Sequence, residues 1–557
     1  MRFGVLCNGT EFQKWQVLAM EELIGEGHKL ELLIKDARVE QKSHPPSKFH
    51  HFFRRNLFFR IYQRWICIPS AKKIMDFSKS LEGIDMLTCS VEKVGYKEYF
   101  NKEEVRAIET YKLDFILRFG FNILHGEILN AAKFGVWSFH HDDEINYRGG
   151  PPGFWEIYQK APVNGAILQR LTEKLDAGII LKKGYMKTIL HSYSGNLDQL
   201  LYLTASWPAQ VAREILRFPD EFEKMSVTTA PLYRIPDNFQ MILFFLKLLK
   251  NRIKFYYRDL LAAEVWNVGL IKKPIHEVAL GVEQIENKEI TWLRQFAKTK
   301  YLADPFGFFE NKKLHILVEN YSYSKQQAHI SEIIWDSSRD SFSVPITIIE
   351  EEKHLSYPFI VKDQEILYCI PESYRTKNIK LYRRNFSEEA FIEDRILLTG
   401  VDAIDPALFF YEQRWWLFFT EKKYSNALLF IYYADSINGH FQPHARNPVK
   451  TDVRSARPGG TPFLYEDQLY RPAQDCSITY GGRVVVNKVT RLTTEHFEEH
   501  PVKILEPIKN SPFPKGLHTL SQVGPYTLID GKKYRINRYF FLSQMKEKLK
   551  KRNRPDV

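Results

Sequence analysis

At roughly 150 residues per domain, the 557 residues allow two to four domains. Hydrophobic residues at 44%, charged residues at 26% and ordinary counts of Gly (28) and Pro (27) exclude wholesale disorder and collagen-like repeats. Five scattered cysteines without a C-x-x-C pair exclude a disulfide framework or a zinc ribbon, and no metal site is expected. The net charge of +12 admits an anionic partner: a phosphorylated substrate, an acidic lipid surface or nucleic acid.

Met1 to Cys7 run straight into a strand, with one positive charge and no apolar h-region, so the expectation is a cytoplasmic protein. Gly4-Val5-Leu6, a helical pattern from Phe12 to Gly25 and the run Leu30 to Ile34 make a strand–helix–strand unit, the opening of a doubly wound sheet. No G-x-G-x-x-G follows, so no nicotinamide cofactor is read here. Between Glu40 and Asp76 there are no acids, while Lys48, Arg54, Arg55, Arg60, Arg64, Lys72 and Lys73 alternate with aromatics. This stretch either docks on an anionic lipid surface, making the protein peripheral to a membrane, or buries its aromatics against the first domain. The adjacent pairing of the aromatics favours burial.

Two further strands, Phe115 to Phe119 and Gly135 to Phe139, flank a helical segment from Glu127 to Lys133. The second strand delivers His140 to the carboxyl edge of the sheet, where open α/β folds bind ligands. A Gly/Pro-rich loop follows, Tyr147-Arg148-Gly149-Gly150-Pro151-Pro152-Gly153. Lys174-Leu175-Asp176-Ala177-Gly178 then places an acid on a turn, 36 residues beyond His140. A His and an Asp on neighbouring loops are the minimum for proton transfer at a nucleophilic amine.

This two-part motif resembles the 10-formyltetrahydrofolate-dependent formyltransferases that act on methionyl-tRNA, glycinamide ribonucleotide and nucleotide sugars. The likeness covers about residues 1 to 190. It implies an α/β doubly wound, Rossmann-like domain and 10-formyltetrahydrofolate as cofactor, with formyl transfer to an amine on an amino sugar or glycoconjugate precursor. By resemblance His140 and Asp176 are catalytic, Ser138 replaces the family's Asn as oxyanion donor, and Arg118, Phe119 and Gly120 help to form the folate pocket. Asp142 and Asp143, where the family has Ser-Leu, and Tyr147, Arg148, Gly149 and Gly150 are expected beside the substrate. Losing an oxyanion donor costs about 10²- to 10³-fold, so a degenerate site stays open beside active formyl transfer.

From Phe239 to Leu261 the pattern is helical, basic and aromatic; it reads as an interdomain connector or as a helix lying on a membrane. After residue 290 a phrase of Pro, apolar strand, polar turn and aromatic strand recurs about every 50 residues. It starts at Asp304-Pro305, Tyr357-Pro358, Asp405-Pro406, Thr461-Pro462 and Gly524-Pro525. Five copies predict a five-bladed β-propeller. The expected organisation is therefore an α/β domain over 1–215, a helical connector over 216–290, the propeller over 291–540 and a basic tail over 541–557.

The repeat resembles the arabinanase and β-xylosidase glycosidases and the N-terminal domain of the plant glucosamine inositolphosphorylceramide transferases. The glycosidase likeness implies Asp304 and Asp405 as the base and the modulating acid. Gly460 stands where the general acid is expected, so a glycan-binding propeller is favoured over a hydrolase. Arg454, Arg457, His518 and Gln522 suit a central cavity for an anionic sugar. The alternative to formyl transfer is thus a glycan-active or glycan-binding propeller joined to a degenerate first domain.

Overall fold

Seven apolar runs near the N-terminus pair into one sheet. Its order is Ile179–Lys187, Val163–Arg170, Val136–His140, Phe115–Arg118, Arg2–Cys7, Lys29–Asp36, Asp85–Cys89. The computed structural model describes residues 1–39, 55–174, 178–219, 221, 230–295, 297, 299–542 and 544–545. Two compact units result, Met1–Arg252 and Ile253–Val557. In the first, the five strands from Asp85–Cys89 across to Val136–His140 are parallel, and the last two join antiparallel.

Arg2–Cys7 and Phe115–Arg118, at the centre, are buried on both faces and read as continuous apolar runs, whereas the edge strand Asp85–Cys89 is largely exposed. Leu6, Ile34, Ile116 and Val136 pack with Val105 and Ile108 of the helix Lys102–Glu109, which Asn101 caps by accepting from the Glu104 N–H at 2.8 Å. The helical pattern read over Phe12 to Gly25 forms as Lys14–Gly25. The segment read as helical from Glu127 to Lys133 is only a 3-10 turn, Glu127–Asn130, because the Lys133 and Phe134 N–H groups donate to the Leu113 and Asp114 carbonyls and not back along a helix.

The helix Asn238–Leu261 buries Met241, Phe244 and Leu248 in a cluster with Phe59, Tyr62, Phe154 and Tyr193. The strand Ala262–Ile271 follows directly. The sequence placed this strand in the connector, yet it pairs along its whole length with Tyr526–Ile536. The propeller therefore begins at 262 and not at 291. Most of the expected tail, 541–557, lies outside the described residues.

Five sheets make up the second unit among the described residues. Four are built from consecutive strands, beginning with Lys300–Glu310, Ser356–Asp363, Ala403–Tyr411 and Phe463–Tyr465. The fifth is composite: Leu520–Val523 and Tyr526–Ile536 are closed by Ala262–Ile271 and Ile290–Trp292. The architecture is a five-bladed propeller with a shared closing blade. The fifth phrase is out of phase with the others. Gly524-Pro525 forms the hairpin turn between Val523 and Tyr526, because His518 and Thr519 already occupy the inner position before Leu520.

A bulge repeats in the inner strands. Asp304, Tyr357 and Asp405 all adopt left-handed φ, 51°, 45° and 49°, and pairing with the second strand shifts at each of them. The proline after each residue keeps it out of the right-handed helical region, and the bulge swings its side chain out of the alternating pattern.

Candidate functional site

Two groups of polar residues stand out, one in each unit. In the first unit a cavity of about 570 Å³ opens at the carboxyl edge of the parallel strands. Arg118, Ser138, His140 and Gly149 line it together with Gln169, Lys93, Lys174 and His125; among the described residues no Asp or Glu does, although Glu173 lies 2.9 Å from His125 Nδ1. Its cations make it a site for an anionic or strongly polar ligand.

Arg118 and Ser138 sit side by side on neighbouring strands. The guanidinium donates to Ser138 Oγ from Nε at 3.0 Å and Nη2 at 2.8 Å, and from Nη1 to the Phe121 and Asn122 carbonyls at 3.2 and 2.7 Å. Burial pushes its pKa down, with Glu98 acting the other way. The Ser138 hydroxyl is thus an acceptor for Arg118, and its own proton points to the Phe139 carbonyl at 3.4 Å. Its expected role as an oxyanion donor does not fit this arrangement. Asp176 lies outside the described residues, although Lys174 and Gly178 on either side line the cavity.

Several other expectations are corrected by packing. Phe119 meets Trp15 edge-on at 5.2 Å instead of lining the cavity. Gly120 is required by the end of the first strand, because a β carbon there would lie 2.6 Å from Cys7 C. Asp142 and Asp143 turn inward, 3% and 5% exposed. Asp142 accepts from the Gly153 N–H at 3.0 Å, and Asp143 accepts from Asn146 Nδ2 at 2.6 Å and Lys183 Nζ at 3.3 Å. Burial raises the Asp142 pKa to about 8, the Gly153 N–H lowers it and Asp143 raises it further; the neighbouring Glu156 is raised as well, by burial first. Tyr147 donates to Gln159 Oε1 at 3.0 Å, while Arg148 and Gly149 pair with Leu232 and Tyr233. Gly150 donates its N–H to the Tyr233 carbonyl at 3.3 Å. Of that loop's expected substrate residues, Gly149 alone lines the cavity.

The second group surrounds the inner strand ends of the propeller. Asp304 and Asp405 are buried, 4% and 3% exposed. Asp405 is clamped by Arg457, whose Nε donates to Oδ2 at 2.5 Å and Nη2 to Oδ1 at 3.2 Å, and Gln474 Nε2 adds a third bond at 2.6 Å. Asp304 accepts from the Tyr357 N–H at 3.2 Å and from Thr519 Oγ1 at 3.2 Å. His518 bridges two acids, with Nε2 3.1 Å from Asp304 Oδ1 and Nδ1 2.6 Å from Asp530 Oδ2.

Burial would lower the His518 pKa, but Asp530 and Asp304 outweigh it and hold the imidazole well above its usual range. Asp304, His518 and Asp530 also offer ligand atoms within 4.8 Å of one another, yet a protonated imidazole has no lone pair for a cation. Two glutamates complete the group. Glu319 and Glu372 are raised well above the ordinary carboxyl range, by burial first and then by Asp304 and Asp405 respectively. Half-buried Tyr301, Asn426 and Tyr480 reach from these groups toward the surface: Tyr301 to Glu319, and Asn426 and Tyr480 to Arg457.

Gly460 completes the ring. It has φ 132°, its N–H donates to the Tyr357 hydroxyl at 2.8 Å, and a β carbon there would stand 1.8 Å from the Leu520 carbonyl oxygen. No side chain fits, so the missing general acid has a steric cause. Of the expected cavity residues, Arg457 and His518 join the group, whereas Arg454 pairs locally with Asp452 at 2.7 Å. The sequence missed Glu319, Glu372, Gln474 and Asp530. A signal for the first two exists: each stands 15 residues beyond the left-handed residue of its blade, Asp304 or Tyr357. Each also pairs with the residue just before it, Ala303 or Ser356.

Comparison with known proteins bears on the second unit. Residues 290–518 match the family described as glucosamine inositolphosphorylceramide transferase 1, N-terminal, so the propeller's resemblance to that domain holds. A protein named glucosamine inositolphosphorylceramide transferase 1 from Oryza sativa subsp. japonica is 34% identical over 212 residues, 37% of this chain and 28% of its own length. One of the same name from Arabidopsis thaliana is 33% identical over 211 residues, 36% of this chain and 27% of its own. The chain therefore spans little more than a quarter of the curated relatives it matches.

Among solved structures, an α-L-arabinofuranosidase catalytic domain from Coprinopsis cinerea is 10% identical with a TM-score of 0.32, covering 43% of this chain and 93% of its own. A glycinamide ribonucleotide transformylase from Symbiobacterium toebii is 13% identical with a TM-score of 0.24, covering 37% and 82%. Both scores are too low to carry weight, and the architecture rests on strand pairing. The expectation of a formyltransferase enzyme is overturned by the relatives, which are named as transferases of glucosamine inositolphosphorylceramide and not as formyltransferases.

Proposed function

We propose that the propeller is a glycan-recognition module and that the inner-strand group takes the sugar, with a glycan or glycolipid as its substrate class. The observation that carries this reading is the pair of hydrogen-bonded carboxylates, Asp304 and Asp405, beside buried Glu319 and Glu372, whose carboxyls burial holds well above the ordinary range. Carboxylates accept from sugar hydroxyls, and a neutral carboxyl donates to them. Tyr301 and Tyr480 add aromatic faces for the apolar side of a pyranose. Support comes from the match of residues 290–518 to a domain of proteins named for glucosamine and inositolphosphorylceramide. Position 460 cannot hold an acid, which disfavours inverting hydrolysis of the kind found in the glycosidases the repeat resembles.

Calorimetry of the full chain with oligosaccharides containing glucosamine, a uronic acid or inositol phosphate tests the proposal. Binding weakened at least tenfold in Tyr480→Ala and Asn426→Ala supports it; no binding across the panel overturns it. Release of sugar followed by mass spectrometry separates recognition from a glycan-active propeller, the second reading that the buried glutamates favour.

The cation-lined cavity beside His140 is the small-molecule site of the first unit in this reading. Thermal-shift titration with a nucleotide sugar and with a reduced folate, the cofactor class implied by the sequence resemblance, tests it. Neither ligand acting in wild type, or both acting equally in His140→Ala, removes the cavity from the proposal.

A further inference from the structure

The helix Asn238–Leu261 is apolar on two sides. One side, Met241, Phe244 and Leu248, is buried in the first unit's aromatic cluster. On the opposite side Phe239, Ile242, Leu246 and Leu249 follow at spacings of three, four and three, which is one continuous stripe. All four are exposed, Phe239 by 67% and Leu246 by 60%.

The segment Leu57–Ile66 lies alongside. The Phe58 N–H donates to Asn238 Oδ1 at 3.0 Å, the Asn238 N–H donates to the Arg55 carbonyl at 2.8 Å, and the Tyr62 ring meets Phe245 at 5.3 Å. This segment buries Phe59 and Tyr62 but exposes Phe58, Ile61, Trp65 (70%) and Ile66. The burial expected of the aromatic stretch therefore holds for one of its faces only, and the other adds to the helix stripe.

The charge around these side chains is predominantly positive, and Asp237 at the start of the helix is met by Arg55 at 3.7 Å. Arg60, Arg64, Lys250 and Arg252 are exposed, and neither 57–75 nor 238–252 contains an acid. Trp and Ile set among Arg and Lys form the pattern of a surface that enters the boundary between headgroups and acyl chains. No helix among the described residues is long and apolar enough to cross a membrane, so the contact is interfacial. A second copy of the chain is disfavoured, because a two-fold contact would bring four cations against four.

We propose that this face docks the protein on a bilayer rich in anionic lipid. The stripe Phe239–Leu249 with Trp65 and Ile66 inserts among the headgroups, and the arginines and lysines contact the phosphates. The inference stands apart from the propeller reading and survives its failure.

Co-sedimentation of the full chain with vesicles of phosphatidylcholine, with and without one quarter phosphatidylserine, tests it at 50 and 500 mM salt. The expected result is binding to the anionic vesicles only, at least tenfold weaker at high salt. Trp65→Ser with Leu246→Ser should remove binding at both salt concentrations. Arg60→Gln with Arg64→Gln and Lys250→Gln should weaken it at low salt and flatten its salt dependence. Unchanged circular dichroism and melting temperature keep these variants interpretable, since every altered side chain is exposed. Absence of binding at 50 mM salt overturns the proposal. So does binding that ignores the apolar changes, or a lipid-free dimer that Trp65→Ser and Leu246→Ser abolish.

Discussion

Around His140 the described residues that line the cavity are cationic or neutral, and the acid that meets one of them, Glu173 beside His125, stands outside the lining. At the inner strands of the propeller the carboxyls are buried, and each is met by a cation or has its pKa raised well above the ordinary range by burial. The first arrangement leaves binding capacity in reserve for an anionic ligand. The second uses its charges on one another, so stability and function share the same residues. Substitutions should separate the two regions: large losses of stability at the axis, small ones at the sheet edge.

The largest effect is expected at Gly460. With its β carbon blocked by the Leu520 carbonyl, Gly460→Ala should cost more than about 4 kcal/mol and abolish soluble, folded protein, read by circular dichroism and urea unfolding. Next comes Arg457→Met, which leaves Asp405 buried without its cation and should cost about 3–5 kcal/mol in urea unfolding. Arg118→Met in the first unit strips the cation from a serine hydroxyl and two carbonyls, and should cost only about 1–3 kcal/mol. Equal losses at Arg457 and Arg118 would erase the contrast.

A third test uses pH within the first unit. Glu98 is fully buried; burial raises its pKa, but Arg38 Nη1 at 2.6 Å and the Asn122 N–H and side chain together bring it down to about 2. Its folded value lies below its unfolded one, so its contribution, up to about 3 kcal/mol, is present above pH 4.5 and disappears toward pH 2. Asp142 has the opposite sign. With a folded pKa near 8 it destabilises progressively as pH rises from about 4 to 8. Glu98→Gln should flatten the acid limb of the stability profile, and Asp142→Asn should raise the melting temperature at pH 8 more than at pH 5. The smallest effect is at half-buried His140, where His140→Ala should shift unfolding by about 0.5 kcal/mol or less while removing ligand-induced stabilisation.

Much of the fold was legible because periodicity reports burial. The runs Gly4-Val5-Leu6 and Phe115 to Phe119 are strands since both sheet faces are covered, and the Pro-centred phrase marks blades since each inner strand needs the same bulge. The composite fifth blade was not legible. Ala262–Ile271 follows a helix without a turn signal, and its partner stands more than 250 residues later, so no local pattern reports the pairing. The axial aspartates could be found because they sit in the phrase itself. Glu319 and Glu372 lie on second strands, where an acid normally faces water, and only the register brings them inward. Asp142 and Asp143 failed the other way: the resemblance put them beside the substrate, but they turn inward, and Gly165 leaves the gap into which Asp143 fits.

The composite blade also sets a schedule for making the protein. Ala262 must wait for Ile536, so the ring stays open until residue 536 has left the ribosome. At about 5–20 residues per second this delay is roughly 15 to 50 seconds. During it Ala262–Ile271 lacks its partner Tyr526–Ile536 and shows an unsatisfied strand edge, the condition under which chains pair with one another. A nascent chain stalled near residue 505 should therefore engage chaperones or aggregate, whereas one extended past residue 536 should resist protease across all five blades at once.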